Sequence, residues 1–161
     1  YVFFSLYLDN LGYSKTMIGV LWAVSVLAEI VWFFSQGRWL PRFSLSTWLL
    51  ICAAAMVLRM VLISGLADSL LALLFAQLLH ALTFATQHTV STAVLSHHFP
   101  GRLRGRGQAL YASIGYGVTG VLGALGGGAL SDAWGLSMVY TVSVGISCVA
   151  CLCAWQFKRS N

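Results

Sequence analysis

Seven side chains in an otherwise apolar sequence are of types that do chemistry: Glu29, Arg59, Gln77, His80, Thr83, Gln87 and His88. Glu29 can take up or release a proton. His80 carries an imidazole, a ring that titrates near neutral pH by type. Arg59 keeps its charge and presents a planar fork suited to a carboxylate, whether from a substrate or from the protein. Gln77, His80, Thr83 and Gln87 recur every three to four residues, which places them on one stripe of a helix. His88 lies about 100° further round, at the edge of that stripe. Such a stripe faces water or polar groups on other helices. Trp22 is a further candidate for lining a cavity, and the set suits movement of protons and a small solute. Other uses of the same residues remain open. Glu29 and Arg59 can form a stabilising pair with no transport role, His80 can hydrogen-bond a neighbour, and Trp22 and Gln77 can simply pack.

The elements that position these residues follow from composition. Hydrophobic residues make up 59% of the chain, charged ones 8%, and the mean hydropathy is +0.84. A soluble domain is typically about a quarter charged, so this chain needs lipid around it. Crossing an apolar layer of roughly 30 Å takes about 20 helical residues. Five stretches meet that length, at about 16–34, 46–64, 70–95, 108–130 and 136–157. Residues 1–8 read as the end of a truncated helix. The expected fold is an all-α membrane protein, a six-helix transmembrane bundle over residues 1–161. A charge at the bilayer centre costs about 2.5–3.5 kcal/mol on insertion scales, which makes Glu29 and Arg59 functional candidates by default.

The breaks between spans alternate in charge. Arg38 and Arg42, then Arg102, Arg104 and Arg106, then Lys158 and Arg159 fall on one side; Asp9, Lys15, Asp68 and Asp132 fall on the other. Lys and Arg near helix ends mark the cytoplasmic face, so the C-terminus is expected inside, in an inner (plasma) membrane. Counting from span midpoints puts Arg59 about 6 Å and His80 about 3 Å to the outer side, and Glu29 about 6 Å to the inner side. Arg59 and His80 thus share a height, whereas a Glu29–Arg59 pair requires tilt or the arginine's reach.

Other patterns point to nothing further. Cys148 and Cys151 share a helical face, and His97 and His98 are adjacent, but neither pair has the partners of a metal set. The run GYGVTG at 115–120 matches a dinucleotide fingerprint, yet it lies inside a membrane-length helix with no strand before it. Gly117, Gly120, Gly123 and Gly127 instead suggest close helix packing. No patch groups aromatics with cations for a nucleic acid. No nucleophile–base pair suggests an enzyme, and no cofactor or metal is expected.

The run FFSLYLDNLGYSKTMIGVLWAVSVLAEIVWFF, with Arg59 in AAAMVLRMVLIS and His80 in FAQLLHALTFATQH, resembles the second half of the phenylpropionate permease-like group. That group belongs to the major facilitator superfamily and is related to the lactose permease type of sugar symporter. The resemblance implies that the six helices are the C-terminal half of a twelve-helix transporter, partnered by membrane lipid and by an N-terminal six-helix half. It implies proton-coupled symport of a small organic solute such as an aromatic carboxylate, by alternating access about a midplane cavity. Glu29 matches the acid that contacts substrate in lactose permease-like proteins. Arg59 matches their arginine near the proton site, and His80 their histidine linking the two sites. Gln77 stands where those symporters have a lysine, and Thr83 where they have the glutamate that carries the proton. That departure leaves room for an uncoupled or efflux carrier of a nucleoside or sugar. A non-transporting membrane sensor or assembly subunit is the alternative of another class.

Overall fold

The computed structural model describes residues 2–160, which form six helices and, among the described residues, no strand. They are α1 (Val2–Asn10), α2 (Lys15–Ser35), α3 (Leu45–Gly65), α4 (Leu70–His98), α5 (Gly101–Trp134) and α6 (Leu136–Ser160). The five from α2 onward are long and apolar enough to cross a membrane. The chain is an all-α membrane bundle.

Local chemistry sets the helix starts. Ser14, Ser44 and Ser69 each accept a hydrogen bond from a backbone N–H three residues on, capping α2, α3 and α4. Gly12 and Gly135 turn the chain at φ of 87° and 85°, where a side chain would be strained. Two tight turns, Gln36–Arg38 and Leu40–Arg42, link α2 to α3 around Pro41. Helix α5 departs most from its expected span, starting at Gly101 rather than near 108. Arg102, Arg104 and Arg106 interrupt hydropathy without interrupting helical hydrogen bonding, so the helix extends beyond the apolar stretch.

Neither α4 nor α5 is regular throughout. Ala81–Thr86 in α4 and Ser113–Val118 in α5 are wide turns whose hydrogen bonds skip one residue more than in an α-helix.

Successive helices run up and down, gathering Asp9, Lys15 and Asp68 at one end (the acidic end) and Arg38, Arg42, His97, His98 and Lys158 at the other (the basic end). Near the acidic end lies the main apolar core, with Leu8, Leu21, Ile63 and Leu73 almost wholly buried. Tyr7 packs on Tyr140 with ring centres 4.8 Å apart. The Tyr13 hydroxyl donates to the Ala67 carbonyl at 2.8 Å, tying two loops together. Helices α3 and α6 share the longest seam, while α4 packs against both α2 and α3. Helix α5 leans on α6 and on the basic end of α4. The glycine stripe finds close packing within this chain at one position. Only Gly127 meets another helix, where an added Cβ would fall 2.5 Å from Phe3; Gly117, Gly120 and Gly123 have open space.

Candidate functional site at mid-bundle

Glu29 of α2 and His80 of α4 are in direct polar contact, with Oε1 2.5 Å from Nε2. Their side chains are 16% and 5% exposed, so little water reaches the contact. Counting along straight helices implies a height difference of roughly 9 Å between the two, which the observed contact does not keep. Arg59 of α3 is buried beside them. Its Nη1 donates to Thr83 Oγ1 at 3.4 Å and its Nη2 to Gln77 Oε1 at 3.3 Å. The charge of Arg59 also acts on both Glu29 and His80 through the bundle interior. Three helices therefore deliver one acid, one imidazole and one fixed cation to a single buried cluster.

The wide turn of α4 shapes this cluster. Ala81, Thr83, Ala85 and Thr86 are all buried, which a straight helix with one inward stripe would not give. Thr83 faces Arg59 while its hydroxyl also donates to the His80 carbonyl at 3.4 Å. The His80 ring stacks on Phe84, centres 5.4 Å apart. Gln77 is fully buried, and its Nε2 makes no hydrogen bond among the described residues. A buried donor without a partner is costly, and this one sits on a side chain already fixed to Arg59.

Two cavities flank the cluster. One, of about 270 Å³, is lined by Arg59 with Phe4, Trp22, Met60, Tyr140 and Ser143. Trp22 is held there by a hydrogen bond to Ser5 and an edge-on contact with Phe4. The other, of about 420 Å³, lies toward the basic end and is lined by Thr83, Phe84, Gln87, Tyr111 and Tyr116. Met56 lines both. The Arg59–Thr83 hydrogen bond thus connects a residue of one cavity to a residue of the other. His88 stands apart from the stripe, exposed, with its Nδ1 3.2 Å from the Tyr116 hydroxyl.

The sequence reading did not single out Tyr111, Tyr116 or Tyr140. Their signal was a phenol inside an apolar span, a polar tip that lipid does not satisfy. Tyr116 was hidden among the glycines of GYGVTG.

Residues 1–142, which include the whole cluster, match the MFS_1 like family. The chain belongs to that family. It is therefore a multi-pass membrane protein with the helical make-up of half a major facilitator transporter. It is 31% identical over 117 residues to a probable 3-phenylpropionic acid transporter of Escherichia coli (strain K12), an alignment covering 73% of this chain. The aligned stretch covers 30% of that relative, so the match reaches well under half of its length. No solved structure matches the chain.

Proposed function

We propose that the chain is the C-terminal half of a secondary active transporter of the inner membrane, with its basic end in the cytoplasm. The intact protein would carry a small aromatic carboxylate together with a proton, by rocking of two halves about a midplane site. The observation that carries this reading is the contact of half-buried Glu29 with buried His80, beside buried Arg59. An intramembrane carboxylate and imidazole in contact can share and release one proton, and such groups mark proton and substrate pathways. Arg59 suits the carboxylate of the solute, and the free Nε2 of Gln77 is a second donor next to it. The relative named for 3-phenylpropionic acid supports that class of solute. In this reading Glu29 and His80 carry the proton, Arg59 holds the carboxylate, and Trp22, Gln77, Thr83 and Gln87 line the path.

Thr83 favours one alternative, an uncoupled or outward carrier of the same fold. It donates and accepts hydrogen bonds around Arg59 but holds no exchangeable charge. External pH in de-energised vesicles carrying the full-length parent separates the two. Alkalinisation on adding 3-phenylpropionate, absent with a nucleoside or a sugar and lost in Glu29→Gln, is the expected outcome. Uptake of any of these solutes with no pH change would transfer the reading to the uncoupled carrier.

A further inference from the structure

Among the described residues that line the cavity of about 270 Å³, Arg59 is the one charged side chain, and no carboxylate joins it. Helices α1 and α2 supply two of its aromatic walls, Phe4 and Trp22, whose rings meet edge-on at 5.7 Å. The Trp22 indole N–H donates to the Ser5 hydroxyl at 3.0 Å, which fixes the plane of its ring. Helix α6 supplies a third, Tyr140, which packs on Tyr7 at 4.8 Å. Phe4 and Tyr140 are buried. Each ring is braced by a further contact, so the cavity has firm walls, and Met60 of α3 adds a thioether to them.

Arg59 gives hydrogen bonds to two neutral acceptors, Thr83 Oγ1 at 3.4 Å and Gln77 Oε1 at 3.3 Å. Both are long. A guanidinium meets a carboxylate at about 2.7–2.9 Å and can do so through two parallel bonds, so an arriving carboxylate can displace both acceptors. Size narrows the choice of solute. An apolar cavity of about 150 Å³ takes up benzene. A space of about 270 Å³ therefore admits one six-membered ring with a short chain ending in a carboxylate, and is tight for a second fused ring. The cavity of about 420 Å³ has different chemistry. It offers the hydroxyls of Thr83, Tyr111 and Tyr116 and the amide of Gln87, and among its described residues no cation to anchor a carboxylate.

We infer that the smaller cavity is the subsite that selects the solute's ring. The carboxylate takes Arg59 in place of Thr83 and Gln77, and the ring lies among Phe4, Trp22, Tyr140 and Met60. This rests on the aromatic-carboxylate reading above and not on proton coupling. The wall chemistry suits a ring. Aromatic pairs attract edge-on or offset with centres about 4.5–7 Å apart, and a thioether makes favourable contacts with an aromatic edge. Met60 and Ser143, on α3 and α6, then set how large a ring is accepted.

The test uses the full-length parent in vesicles, with solutes offered in competing pairs so that the ratio of kcat/KM does not depend on how much protein is inserted. 3-Phenylpropionate competes with 3-(2-naphthyl)propionate, of equal charge and larger ring, and with butyrate, of equal charge and no ring. Wild type should favour 3-phenylpropionate over both. Met60→Ala, which opens the cavity, should shift the first ratio toward the naphthyl solute by about tenfold, the scale on which an apolar pocket reads small changes of size. Ser143→Leu, which adds bulk, should shift the second ratio toward butyrate by about as much. Leu49→Ala, in the larger cavity, should leave both ratios as in wild type. A shift in the stated direction from either cavity variant supports the subsite. No shift from either, or an equal one from Leu49→Ala, would overturn it and leave the carboxylate reading in place. Wild-type protein that carries no aryl carboxylate would overturn that reading, and the subsite with it.

Discussion

Helices α4 and α5 carry the same backbone device, a wide turn near mid-span, in opposite surroundings. In α4, 44% of the most apolar stretch is buried, and four residues of the wide turn pack inside the bundle. The corresponding figure for α5 is 0%, and no residue of its wide turn is buried. The first turn packs against α2 and α3, so Thr83 meets Arg59 while His80 meets Glu29. The second is open, and from it Tyr116 reaches His88 on α4. A widened turn re-aims side chains only as firmly as its neighbours hold it. Thus, within this chain, α4 packs its wide turn around the charged cluster, and α5 lines a cavity with its wide turn left open.

That contrast can be broken by substitution. The largest effect should come from Arg59→Ala, which strips a cation and two charge-assisted hydrogen bonds from the packed site. Transport by the intact protein is expected to fall on the order of a hundredfold, since hydrogen bonds to charged groups contribute about 1.5–3 kcal/mol. Uptake assays normalised to inserted protein would check it, and a loss below threefold would mean that Arg59 only braces the bundle. Thr83→Val removes one of those acceptors and should cost about tenfold by the same reckoning. On α5, Gly127→Val would drive a side chain into Phe3, so melting in detergent should show about 1–3 kcal/mol of destabilisation from overpacking. Gly120→Ala, with open space around it, should leave melting unchanged or raise it by up to about 1 kcal/mol through helix propensity. Transport lost at Gly120→Ala without a change in melting would sharpen the comparison differently. It would mean that the open face of α5 packs against another part of the intact protein.

Much of this was legible because membrane helices declare themselves by length and apolarity. The spans, the alternation of cationic breaks and the choice of Glu29, Arg59 and His80 all follow from what lipid does not tolerate. The partners of those residues were less legible. Counting along straight helices set Arg59 level with His80 and separated Glu29 from it, yet Glu29 is the residue that touches His80. Tilt and rotation come from packing between helices, which no single helix encodes. The wide turns were invisible for the same reason, since the segments ALTFAT and SIGYGV read as ordinary helix. Of the glycines of α5, Gly127 packs against Phe3, and small residues permit such packing without specifying the partner. Arg104 and Arg106 shortened the expected α5 because hydropathy marks the lipid boundary, not the end of a helix.

The central claim is that Glu29 and His80 act as one proton-handling unit. A double-mutant cycle tests it most directly, measuring substrate-driven proton movement in vesicles with full-length wild type, Glu29→Gln, His80→Gln and the double variant. If the pair is one unit, the double variant should be no worse than the more damaged single one, because the second change removes a partner already lost. Losses that multiply, with each single variant keeping part of the proton movement, would place the two residues on separate tasks and contradict the account.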